Sequence, residues 1–121
     1  MDILKLEDLD IYQLAVDIGE SVWNIVDKWD WFVKKTVGAQ FVTAADSISA
    51  NIAEGYGRYF YKDRKQFYYY SRGSVLETKN RVTKSKNRSL ITQDEYDLLI
   101  EKLQILHHKL NLYIKKLKDN L

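Results

Sequence analysis

Apolar positions recur at steps of three and four along most of the chain, the signature of helices that bury one face. In the first such stretch, Ile11, Leu14, Ala15, Ile18, Val22, Ile25, Val26 and Trp29 keep this spacing and predict a helix over residues 9–30. Asp8 or Asp10 can cap it, since a carboxylate accepts hydrogen bonds from the free N–H groups of a first turn. Residues 30–36 read as the first turn between helices. A second helix, 35–56, carries Val37, Phe41, Ala44, Ala45, Ile48 and Ile52 on one face. It ends at Gly55 and Gly57, where glycine would supply the left-handed conformation that closes a helix. Ala44, Ala45, Ser47, Ser49 and Ala50 leave room for another helix to approach closely.

The third segment, 61–87, has the weakest periodicity. FYYY at 67–70 has β-propensity, but KDRKQ and LETKNRVTKSK on either side tolerate a helix and hold no turn signal. One long helix is therefore predicted. Gly73 in its middle costs about 1 kcal/mol relative to alanine, which implies close packing at that point. Residues 87–90 make the third connection. The fourth helix, 92–118, is the clearest, because Thr92 and Glu95 form a capping box. Tyr96, Leu99, Leu103, Leu106, Leu110, Tyr113 and Leu117 alternate steps of three and four, a coiled-coil seam. Leu98, Ile105 and Leu112 run beside it at seven-residue steps. Two apolar seams exceed what one small bundle needs, so copies of the chain are expected to associate.

Composition agrees with long helices and few turns. The chain has 121 residues, 45% hydrophobic and 30% charged, and it contains no proline. That fits one globular domain, residues 1–121, joined by few helix-stopping positions. Cysteine is also absent, which excludes disulfides, thiolate zinc sites and thiol catalysis. No apolar run approaches the roughly 18 residues needed to span a bilayer. The opening MDILKLEDLD is acidic and lacks the basic start and apolar core of a secretory signal, so the expected location is cytoplasmic, with no membrane partner.

Charge divides the chain in two. Residues 1–57 carry four basic and ten acidic residues, a balance of −6, whereas residues 58–121 carry fifteen and seven, a balance of +8. The excess lies between Arg58 and Arg88, where ten bases meet only Asp63 and Glu77. Arg58, Lys65, Arg72, Lys79 and Lys86 are each seven apart, and seven residues displace a helical position by only about 20°. On a continuous helix the five would form a stripe about 42 Å long. Such a stripe suits a polyanion, RNA or DNA, but a solvated face or one paired with the acidic half of the same or a neighbouring subunit is equally consistent. Tyr56, Tyr59, Tyr61, Tyr68, Tyr69 and Tyr70 interleave with these bases. Rings so placed can stack on unpaired nucleotide bases, although burial at a subunit interface is the commoner use of helical tyrosines.

SISANIAEGYGR at 47–58, followed by FYYYSRGSVLET at 67–78, resembles the four-helix-bundle family of 23S rRNA intervening-sequence proteins, often labelled ribosomal proteins. DIYQLA at 10–15 is similar to the family's opening, and the resemblance spans nearly the whole chain. It implies an all-α, antiparallel up-down bundle assembling into a ring-like homopentamer, with no enzyme activity and no cofactor. Some members are encoded within insertions in ribosomal RNA genes. A similar bundle is the accessory protein of diversity-generating retroelements, which works with a reverse transcriptase and nucleic acid. The signature residues are Asn51, Glu54, Gly55, Gly57 and Arg58, with Gly73, Ser74 and Glu77 further on. Many members carry proline where this chain has Ser49, and the bases after Glu77 are unusually dense here: Lys79, Arg81, Lys84, Lys86 and Arg88.

Asn51 and Glu54 share a face at the end of the second helix. They predict a buried polar network that fixes the turn, with Glu54 pairing to Arg58 or a base on helix three and Asn51 meeting turn backbone. Acid–base catalysis would need a second carboxylate near Glu54, and Glu77 is the available one. His107 and His108 point about 100° apart on a helix and cannot clamp one metal together. Gly55-Tyr56-Gly57 is too short for a dinucleotide fingerprint, and Ser74 has no histidine in a supporting pattern. The expectation is a non-catalytic, RNA-associated protein acting through Arg58, Lys65, Arg72, Lys79, Arg81, Lys84, Lys86 and Arg88. The alternative is a protein-interaction scaffold that binds no nucleic acid.

Overall fold

The first long helix starts after Leu9, whose extended backbone carries no side-chain cap. Asp8 closes a 3-10 turn, Leu6–Asp8, by accepting from the Lys5 N–H at 3.2 Å, and Asp10 is already the first residue of α1 (Asp10–Val26). Neither carboxylate caps α1 as expected. The computed structural model describes residues 5–119, so the first four residues of the acidic opening lie outside the described residues.

The first interhelical turn comes earlier than the apolar spacing implies, at residues 27–30. Asp30 Oδ1 accepts from the Val33 N–H at 3.2 Å and starts a single helical turn, Trp31–Val33. A π-helical turn, Lys34–Gly38, then leads into α2 (Ala39–Tyr56). Residues 30–36 are therefore mostly helical, because the Asp30 carboxylate satisfies the first turn that a loop would have left to solvent. α2 continues through Ser49, whose hydroxyl donates to the Asp46 carbonyl at 3.2 Å. Gly57 ends it at φ −77° and ψ −8°, so the left-handed close expected of these glycines does not occur.

The helical reading of 61–87 holds: α3 spans Tyr61–Asn87, the FYYY run included. Its buried line is Tyr68, Ser71, Val75, Thr78, Val82 and Ser85, half of it serine or threonine, which is why the periodicity is weak in the sequence. Two of these hydroxyls have backbone acceptors inside the helix pair. Ser71 Oγ donates to the Ile48 carbonyl at 2.8 Å and Thr78 Oγ1 to the Ser74 carbonyl at 2.7 Å. Left-handed backbone closes this helix, not α2. Ser89 has φ 58°, and the Leu90 N–H donates to the Ser85 carbonyl at 2.8 Å. α4 (Gln93–Asp119) opens with the expected capping box: the Glu95 N–H reaches Thr92 Oγ1 at 3.1 Å, and the Thr92 N–H reaches Glu95 Oε1 at 2.8 Å.

Among the described residues the chain is all helix and turn. α1 packs on α2 and α4, and α3 on α2 and α4, so four helices close around one core. Leu99, Leu103, Leu106 and Leu110 of the α4 seam lie in that core beside Ile18, Ile48 and Val75. Trp29 Nε1 donates to the Leu90 carbonyl at 3.1 Å, tying the α1–α2 turn to the α3–α4 connection. Lys109 meets Asp10 at 2.9 Å and Lys102 meets Asp17 at 2.7 Å, bonding α4 to the acidic α1. No helix among the described residues is long and apolar enough to cross a membrane.

Candidate nucleic-acid interface

The α2–α3 turn is assembled by the signature residues, though not as a buried network. Asn51 Nδ2 donates back along its own helix to the Ser47 carbonyl at 2.8 Å and does not meet turn backbone. Glu54 is exposed and pairs with Arg58 at 2.9 Å. The Arg58 guanidinium lies 4.6 Å from the centre of the Phe67 ring, and Arg64 Nε donates to the Arg58 carbonyl at 2.6 Å. Gly55 allows α2 and α3 to touch: a Cβ there would stand 2.9 Å from Tyr68 Cε1 and 3.1 Å from the Arg64 carbonyl oxygen. Gly73 behaves oppositely. It is exposed with nothing within 4 Å of an added Cβ, so the close packing expected there is absent from the subunit.

The basic stripe is shorter than expected. Arg58 precedes α3 and turns back to Glu54, leaving Lys65, Arg72, Lys79 and Lys86, which span about 31 Å of helix. All four are half-buried along the flank of α3 that meets α4. Arg72 Nη1 donates to Asn111 Oδ1 of α4 at 2.8 Å, and its guanidinium lies 4.9 Å from the Tyr69 ring centre. Lys79 and Arg72 stand near enough to His107 of α4 to act on its titration. Burial, with these two positive charges added, holds the imidazole below its usual pKa. Lys65 and Lys86 follow on the same flank by the seven-residue step. None of the four forms an ion pair with an acid among the described residues.

The other expected cations do not join this row. Arg81 faces α2, with Nη2 3.9 Å from Glu77, beside Gln40 and Thr43; its Nε is buried without a hydrogen-bond partner. Lys84 is exposed and Arg88 sits at the α3 C-cap. Positive charge there complements the negative end of the helix dipole, which accounts for part of the local excess. Ser74 is half-buried and supplies only its carbonyl to Thr78. Glu54 and Glu77 are each engaged by an arginine four residues on, so they do not form an acid–base pair.

The aromatic residues separate into two groups. Tyr68 lies in the core, edge-on to Tyr113 at 6.4 Å between centroids, and burial pushes its hydroxyl up to about 12. Tyr59 and Phe60, in the α2–α3 connection, are 85% and 64% exposed. Sequence reasoning passed over Phe60, Arg64 and Asn111. The i, i+3 spacing of Tyr61 and Arg64, now a cation–ring contact of 5.6 Å, was the available signal for Arg64. The second apolar line of α4 is exposed as anticipated: Leu98 51%, Ile105 43% and Leu112 54%. An open apolar groove between α1 and α2, lined by Trp23, Val26, Gly38 and Val42, carries one carboxylate, Asp27, paired with Lys34 at 3.4 Å. Among the described residues no three potential ligands converge to hold a metal.

A comparison with curated proteins finds no match. Among solved structures, the fold is similar to that of a protein of unknown function from the S23 ribosomal protein family of Bacteroides thetaiotaomicron VPI-5482. The TM-score is 0.78 at 16% identity, covering 87% of this chain and 98% of that one. The model of the 23S rRNA-intervening sequence protein family matches residues 7–112. With the signature residues assembled at the α2–α3 turn of a four-helix, all-α chain, that match makes the protein a member of the 23S rRNA-intervening sequence protein family.

Proposed function

We propose that the protein is a non-catalytic, nucleic-acid-binding accessory protein, associated with ribosomal RNA and working as a homo-oligomer of up-down bundles. The observation that carries this is the row Lys65, Arg72, Lys79 and Lys86, which no acid of the described chain neutralises. Two of the three acids of α1, Asp10 and Asp17, are engaged by lysines of α4. At Arg72 and Lys79, α4 offers the neutral groups Asn111 and His107, which add polar groups beside the cations for a phosphate backbone. Assembly is supported by the exposed line Leu98, Ile105 and Leu112, and the ring of five implied by the family resemblance would repeat the cationic row around one particle. The family's name, which points to ribosomal RNA insertions, supports RNA as the target.

The test is binding of a labelled single-stranded RNA by fluorescence anisotropy to the wild type and to the triple variant R72A/K79A/K86A. A loss of at least tenfold with unchanged helix content is expected. Undiminished affinity in the variant, or no binding by the wild type, would favour a protein-interaction scaffold instead.

A further inference from the structure

Tyr59 and Phe60 stand out among the aromatic side chains of the α2–α3 end. Phe67, Tyr61 and Tyr69 each lie under a guanidinium, from Arg58, Arg64 and Arg72. Tyr59 and Phe60 meet one another edge-to-face, with centroids 4.9 Å apart, and project into solvent from a four-residue connection. Two large rings held side by side outside a packed core leave apolar faces in water that folding has not used. Their neighbours in the chain are cations: Arg58 before them, Lys62, Arg64 and Lys65 after them, against the single acid Asp63. Lys65 is also the first member of the cationic row, so the ring pair stands at one end of it.

We propose that this end is a stacking platform for unpaired nucleotide bases, so that the protein binds single-stranded rather than duplex nucleic acid. This rests on the nucleic-acid reading above and specifies its substrate. Bases of an unpaired segment stack on Tyr59 and Phe60 while the backbone continues along Lys65, Arg72, Lys79 and Lys86. Charge complementarity favours this occupant over an apolar protein surface, because such a surface docking on the two rings would bury Lys62 and Lys65, which have no acidic partner among the described residues. A duplex keeps its bases stacked internally and offers the rings nothing but its outer edges.

Binding of the full chain to three probes of about twelve nucleotides, single-stranded RNA, single-stranded DNA and duplex RNA, tests the proposal by anisotropy. The wild type is expected to prefer single strands to the duplex by about tenfold or more, as one or two stacked bases would provide. Y59A/F60A should remove that preference and leave the duplex affinity and the salt dependence unchanged, and Y59W/F60W should restore it. The RNA and DNA arms show whether the 2′-hydroxyl contributes. Equal affinity for duplex and single strand, or an unaltered preference in Y59A/F60A, would overturn the platform while leaving the cationic row standing. A change of particle size in Y59A/F60A would assign the rings to a subunit contact and overturn it as well. Absence of binding to all three probes would overturn both this inference and the function on which it rests.

Discussion

Gly55 and Gly73 lie on adjoining helices, yet their environments predict opposite responses to the same methyl group. At Gly55 an added Cβ meets Tyr68, Phe67 and the Arg64 carbonyl at 2.9–3.1 Å, so Gly55→Ala must separate α2 from α3. Overpacking of this kind costs about 1–3 kcal/mol in urea unfolding. At Gly73 the space is open, and Gly73→Ala should stabilise by about 0.5–1 kcal/mol through helix propensity alone. The sequence shows both as glycines within helical patterns and cannot separate them, because the deciding contact comes from another helix. His107 supplies a pH dependence. Its folded pKa is lowered from 6.5 by burial and by Lys79 and Arg72, so the unfolded chain takes up the proton first as pH falls. Stability is therefore complete above pH 6.5 and declines on acidification toward the folded value. His107→Asn should flatten thermal-unfolding profiles across this window, whereas an unchanged profile would assign the decline to other groups.

Among the elements, α4 was legible in nearly every detail, from its capping box to its leucine seam, because each signal is local. Thr92→Ala should cost about 1 kcal/mol of unfolding free energy, measured by chemical denaturation, since the Glu95 N–H loses its acceptor. The start of α2 was misplaced, because Asp30 reads as loop composition until its carboxylate is seen accepting from Val33. α3 was weakly legible for a different reason. Ser71, Thr78 and Ser85 look solvent-facing in a sequence, but Ser71 and Thr78 bury their hydroxyls by bonding to backbone carbonyls. The basic stripe was found by its seven-residue step. Its first member was lost because Arg58 lies in a turn, where helical register no longer applies.

At the scale of the whole molecule, α4 buries one apolar line against the core and leaves the other, Leu98, Ile105 and Leu112, in solvent. Replacing all three with glutamine should leave helix content intact, since none contributes to the core, and reduce the sedimenting species to the 14.3 kDa chain. A wild type that already sediments as that single chain would remove the case for assembly. The division of charge is likewise a property of the whole. Asp10 and Asp17 of α1 hold α4, while Lys65, Arg72, Lys79 and Lys86 of α3 have no acidic partner among the described residues, and under the proposed function they meet the nucleic-acid backbone.

The salt dependence of single-strand binding tests that claim most directly. Four phosphate contacts from one subunit imply a slope of about −3 in log K against log salt, falling to about −1 in R72A/K79A/K86A. A slope near zero, or one unchanged in the triple variant, would show that the row on α3 does not hold the backbone.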